Sequence, residues 1–168
     1  AHLTYTHMFF FNTYYATNLG GALWTLAVEM QFYLLFPLLA RAFLRMPALT
    51  FAGMVGISLA FRGFVGAHFA DVGMYFNQLP AYLDVFACGM AAAAVHVHLA
   101  ARRHSAVSRV LCTIGALLAV WALMEVARSQ ATCATTEEIR LGQMNRRLAM
   151  GLLGGALLVL SANAGWVL

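Results

Sequence analysis

The chain is 168 residues long, 62% hydrophobic and 10% charged, with a mean hydropathy of +0.78. A water-soluble domain carries about 25% charged residues, so too few charges remain here to cover a solvated surface, and the composition places the chain in a lipid bilayer. The net charge is +4 and all ten cations are Arg; they lie mostly beside or between apolar runs and not on one basic face, which argues against nucleic acid as a partner and for loops that meet anionic headgroups.

Residues 1–20 read as an aromatic interfacial segment. The run Thr6–Tyr15, THMFFFNTYY, mixes aromatic rings with Thr, His and Asn, and tyrosine favours the headgroup level, with an apolar body and a polar tip. No basic n-region or small-residue cleavage site marks a signal peptide. The chain starts on Ala1 and stops at Leu168 within an apolar run, which reads as an internal piece of a longer protein. Asn18-Leu19-Gly20-Gly21 then breaks the chain before the first clear helix.

Apolar runs follow near 22–39, 48–66, 79–100, 110–127 and 148–168. Each approaches the roughly 20 residues needed to cross a bilayer at about 1.5 Å per residue. Within lipid the backbone has to satisfy its own hydrogen bonds, so runs of this length predict helices; barrel strands would be about half as long and would alternate. The expected fold class is all-α, a single polytopic transmembrane helical bundle with about five spans. Arg41 and Arg45 in the first connection, and Arg102, Arg103 and Arg109 in the third, place those connections on the cytoplasmic side. The second connection, Ala67–Gln78, lacks Lys and Arg and fits outside, whereas Arg128, Arg140, Arg146 and Arg147 in the fourth run against this scheme. Gly151 and Gly155 form a G-x-x-x-G step suited to close helix packing.

The first span carries the most chemistry. Glu29 lies near its middle, where a carboxylate costs several kcal/mol unless it faces a polar cavity or a partner. Thr25, Glu29 and Tyr33 recur every four residues and share one helix face. Pro37 lacks a backbone donor and frees the Tyr33 carbonyl, which invites a kink. The stripe suits a functional carboxylate, and equally a structural one paired with an Arg or hydroxyl on another helix.

The other polar residues have plainer readings. Arg62 is the cation inside a predicted span, four or five residues from its outer end; snorkelling accounts for it, and pairing with Glu29 or Asp84 is the sharper alternative. Asp84 suits a helix start as well as a working site. Glu125 reads as interfacial and His68 as a loop residue. His96, His98 and His104 lack the i, i+4 spacing and acidic partners of a metal site, so no metal is expected. Cys88, Cys112 and Cys133 are odd in number and far apart, and read as small packed residues.

The stretch Leu23–Leu39, LWTLAVEMQFYLLFPLL, resembles the W-S-L-x-V-E-x-x-F-Y-L-x-x-P signature of the acyltransferase-3 family. Trp24, Leu26, Val28, Glu29, Phe32, Tyr33, Leu34 and Pro37 match it, and Thr25 stands for Ser with its hydroxyl kept. The aromatic segment upstream is similar to the one that often precedes this signature. Leu79–Met90 resembles a second segment, L-P-x-R-L-D-x-F-x-x-G-M, with Tyr82 in place of Arg. The resemblance covers roughly residues 3–95.

The resemblance implies a membrane O-acyltransferase in the bacterial inner membrane. It would carry an acyl group, usually acetyl, from acyl-CoA (acetyl-CoA) as donor substrate to a carbohydrate hydroxyl of a cell-surface polysaccharide or lipid-linked sugar. Its partners would be the bilayer, acyl-CoA and the carbohydrate acceptor, with no bound cofactor. The family's catalytic His and donor-handling arginines would lie before Ala1, so this piece alone is expected to be inactive. Glu29 would support that His, fixing its tautomer and stabilising its cation. Trp24, Thr25, Tyr33, Asp84 and His7 are the residues expected to meet substrate. Two other classes compete: a transporter or ion-coupled protein with Glu29 as a proton or cation site, and a non-catalytic helical bundle.

Overall fold

The computed structural model of the chain describes residues 20–69, 72–100, 105–132 and 136–164, with side chains except at 20–23, 100, 136–137, 139–141 and 143–145. Every regular element among the described residues is helical: α1 (Gly20–Arg45), α2 (Pro47–His68), the short α3 (Gly73–Phe76), a 3₁₀ turn (Leu79–Tyr82), α4 (Leu83–Ala100), α5 (Ala106–Ala131) and α6 (Thr136–Asn163). Among the described residues, four helical stretches are long and apolar enough to cross a membrane: Trp24–Arg45, Pro47–His68, Leu79–Leu99 and Ala106–Ala131. The protein is thus all-α with several membrane-spanning helices. The fifth expected span begins inside α6, and its last four residues lie outside the described ones.

The helices overrun the apolar runs at their polar ends. α1 continues through Pro37 and past Arg41 to Arg45, because Arg is a good helix former. It stops where the next proline forces it to. The residue before a proline is pushed out of the helical region, and Met46 sits at φ −141°, ψ 70°, with Pro47 opening α2. Met46 alone therefore separates two spans. α6 starts at Thr136, well before the apolar run, since its polar first half is rich in Glu, Arg, Gln and Met.

The chain divides into two compact units, residues 1–84 and 85–168. In the first, α1 and α2 both pack on the 3₁₀ turn. Its core is lined by Ala27, Val28, Phe32, Met54, Val65, Phe76, Leu79 and Ala81. His68, expected in a loop, is instead the last residue of α2; its Nδ1 lies 2.9 Å from the Phe64 carbonyl and its ring stacks on Phe64.

In the second unit, α5 and α6 form an antiparallel hairpin. Gly115 faces Leu160, and near the other end the Gln130 amide donates to Met150 while Arg146 donates to the Ser129 carbonyl at 2.7 Å. Ser105 caps α5, its hydroxyl accepting from the Ser108 N–H. α6 meets α4 through the G-x-x-x-G step. A Cβ on Gly151 would stand 3.2 Å from the Val85 Cα, and one on Gly155 would stand 3.2 Å from the Cys88 carbonyl oxygen. This is the close backbone approach that small residues permit between membrane helices. Buried Cys88 serves there as a small apolar residue.

Candidate functional site

The α1 motif splits along two neighbouring ridges of the helix. Trp24, Val28 and Phe32 follow at four-residue steps and form the inward ridge, with Trp24 half-buried and the other two buried. Thr25, Glu29 and Tyr33 each lie one residue later, about 100° further round, and all three are exposed, Tyr33 to 61%. The expected polar stripe therefore exists, on an exposed face of α1. Among the described residues Glu29 has no hydrogen-bond or ion-pair partner.

α2 carries its own inward ridge, Met54, Ser58, Arg62 and Val65–Gly66. Ser58 and Arg62 are one turn apart on it and converge on one carboxylate. The Ser58 hydroxyl donates to Asp84 Oδ1 at 3.1 Å, and an Arg62 terminal nitrogen meets Asp84 Oδ2 at 2.5 Å. The other terminal nitrogen reaches the Ala81 carbonyl at 3.4 Å. Arg62 is 1% exposed and Asp84 and Ser58 are 0% exposed. Of the alternatives for Arg62, snorkelling is excluded by this burial, and its partner is Asp84, not Glu29. The pairing is charge-assisted and close, and Asp84 also occupies the first turn of α4, where the helix dipole favours an anion. Arg62 Nε has no acceptor among the described residues, and an unmet buried donor costs about 1–3 kcal/mol.

The two resembling segments meet through their aromatic residues. The Trp24 and Tyr82 ring centroids are 5.7 Å apart with planes tilted by 31°, within the range of favourable aromatic pairs. Both rings are half-buried. Pro80 suits the start of the turn that presents Tyr82, because its fixed φ and missing N–H are tolerated there.

Of the residues expected to meet substrate, Trp24 is brought to Tyr82, Asp84 is taken up by Arg62 and Ser58, and Thr25, Glu29 and Tyr33 share the outer ridge of α1. His7 lies outside the described residues. Ser58 and Tyr82 were not among the expected site residues. Ser58 carries a readable signal, a hydroxyl four residues before an intramembrane Arg; Tyr82 carries only its departure from the motif. No family model, no curated protein and no solved structure matches the chain.

Proposed function

We propose that the chain is part of a membrane O-acyltransferase that moves an acyl group, acetyl in the first instance, from acyl-CoA to a carbohydrate hydroxyl. The observation that carries this reading is the Trp24–Tyr82 contact, which joins two stretches that each resemble a segment of one enzyme family, although they lie far apart in sequence. In this reading the two half-buried rings form an apolar platform for the sugar. The outer ridge of α1 supplies the polar groups: Thr25 and Tyr33 hold hydroxyls, and Glu29 orients and charges a His contributed from outside the described residues. The sugar oxygen attacks the thioester carbonyl as that base takes its proton, and the coenzyme A thiolate leaves. Asp84, buried and bonded to Arg62 and Ser58, shapes the platform in place of touching substrate. The bacterial inner membrane is the location this reading implies.

The exposure of Glu29 supports it. A carboxylate costs several kcal/mol at mid-span in hydrocarbon, so an uncovered one calls for a polar surface against it. The test is transfer of labelled acetyl from acetyl-CoA in membranes that hold the full-length protein. Sugar-linked label that disappears with Glu29→Gln supports the reading; membranes that never label a carbohydrate sink it.

A further inference from the structure

Arg62 touches the chain on both sides of Tyr82. One terminal nitrogen takes the Ala81 carbonyl and the other takes the Asp84 carboxylate, while Tyr82 lies between them in sequence and turns its ring to Trp24. We propose that Arg62 is the positioning residue of the aromatic pair, clamping the Leu79–Asp84 segment from α2 so that the Tyr82 ring is held against Trp24.

Three observations carry this. The clamp crosses between elements, from the last third of α2 to the 3₁₀ turn and the start of α4, and so ties both ends of the Ala81–Asp84 stretch to one side chain; Ala81 N–H to the Gln78 carbonyl is the turn's entering bond. The clamp is also poorly designed for stability alone. It buries two charges and one unmet N–H; replacing such a pair by apolar side chains of the same volume is often neutral or stabilising, and buried ionic groups can be kept for the geometry they specify. Finally, position 82 holds an aromatic where the resembling segment has Arg, and Asp84 still has a guanidinium against it. The guanidinium on Asp84 comes from α2, and position 82 carries a ring that meets Trp24. Only the activity arm of the test below rests on the acyltransferase reading.

The test follows Trp24 by its fluorescence, in protein whose other tryptophans, Trp121 and Trp166 among them, are changed to phenylalanine. Tyr82→Ala sets the emission change that marks loss of the ring contact. Arg62→Met should give a change of the same sign and comparable size, with helix content by circular dichroism intact, and Arg62→Lys should retain most of the wild-type emission. Because Arg62→Met takes the counter-ion from a buried carboxylate and can fail to fold, Arg62→Met with Asp84→Asn is the second variant; it removes both charges and should show the same change. Acetyl transfer in membranes should fall about a hundredfold in that double variant, the size expected for a misplacement of about 1 Å. Wild-type emission in the double variant would overturn the proposal, as would a Tyr82→Ala protein with unchanged emission. If wild-type membranes transfer no acetyl group, the acyltransferase reading falls, and the emission data decide the role of Arg62 by themselves.

Discussion

Arg62 and Asp84 meet at 2.5 Å with side chains 1% and 0% exposed, one from the inward ridge of α2 and the other from the first turn of α4. Removing one partner takes this counter-ion from a buried charge, and removing both does not. Arg62→Met and Asp84→Asn should therefore each destabilise the protein by about 3–5 kcal/mol, and the double variant, which removes both charges, should lose less than the sum of the two. Denaturant titration in detergent of the two single variants and the double variant measures the coupling directly. Additive losses would mean that the pair contributes little in the folded protein.

Gly155 and its neighbour Gly154 give a matched comparison. A Cβ at 155 meets the Cys88 carbonyl oxygen at 3.2 Å, whereas one at 154 meets nothing within 4 Å. The obstacle at 155 is backbone, which yields poorly. Gly155→Ala should cost about 1–3 kcal/mol through overpacking, and Gly154→Ala should be neutral or stabilising by up to about 1 kcal/mol through helix propensity. Thermal unfolding of the two variants in the same detergent separates them; equal melting temperatures would contradict the α4–α6 contact.

Glu29 tests the outer ridge of α1. Glu29→Gln keeps the size and removes the charge, so it should leave the unfolding midpoint near wild type, because the carboxylate has no partner among the described residues. Acetyl transfer should fall by about 10²–10⁴-fold, the range of general acid–base contributions. A large loss of stability with activity kept would assign Glu29 to packing against another helix.

The α5 cap offers a local check. The Ser105 hydroxyl accepts from the Ser108 N–H at 3.2 Å, and loss of such a cap costs about 0.5–2 kcal/mol. Ser105→Ala should expose the first turn of α5 to faster amide exchange, while Ser105→Asp should keep its protection.

The helices were legible because length and apolarity settle that question in a bilayer, and the G-x-x-x-G step at Gly151 and Gly155 was legible because close packing demands small residues. Their ends were not. Arg41 and Arg45 read as a connection, yet α1 runs through both to Arg45, since hydropathy marks where lipid stops and not where the backbone stops being helical. The stripe Thr25–Glu29–Tyr33 followed from four-residue spacing; its outward direction did not, because the sequence does not say which ridge finds neighbours. The partner of Arg62 was equally hidden. Periodicity relates residues within one helix, and Asp84 lies 22 positions away in another.

That separation has a consequence for synthesis. The chain is made from its N-terminus at about 5–20 residues per second, so Arg62 precedes its counter-ion by roughly one to four seconds. During that interval the helix Pro47–His68 has to enter the bilayer with an unneutralised guanidinium, or wait at the insertion machinery for Asp84 to arrive. The buried ion pair is thus completed only after the helix that carries Arg62 has left the ribosome ahead of the segment Leu79–Asp84.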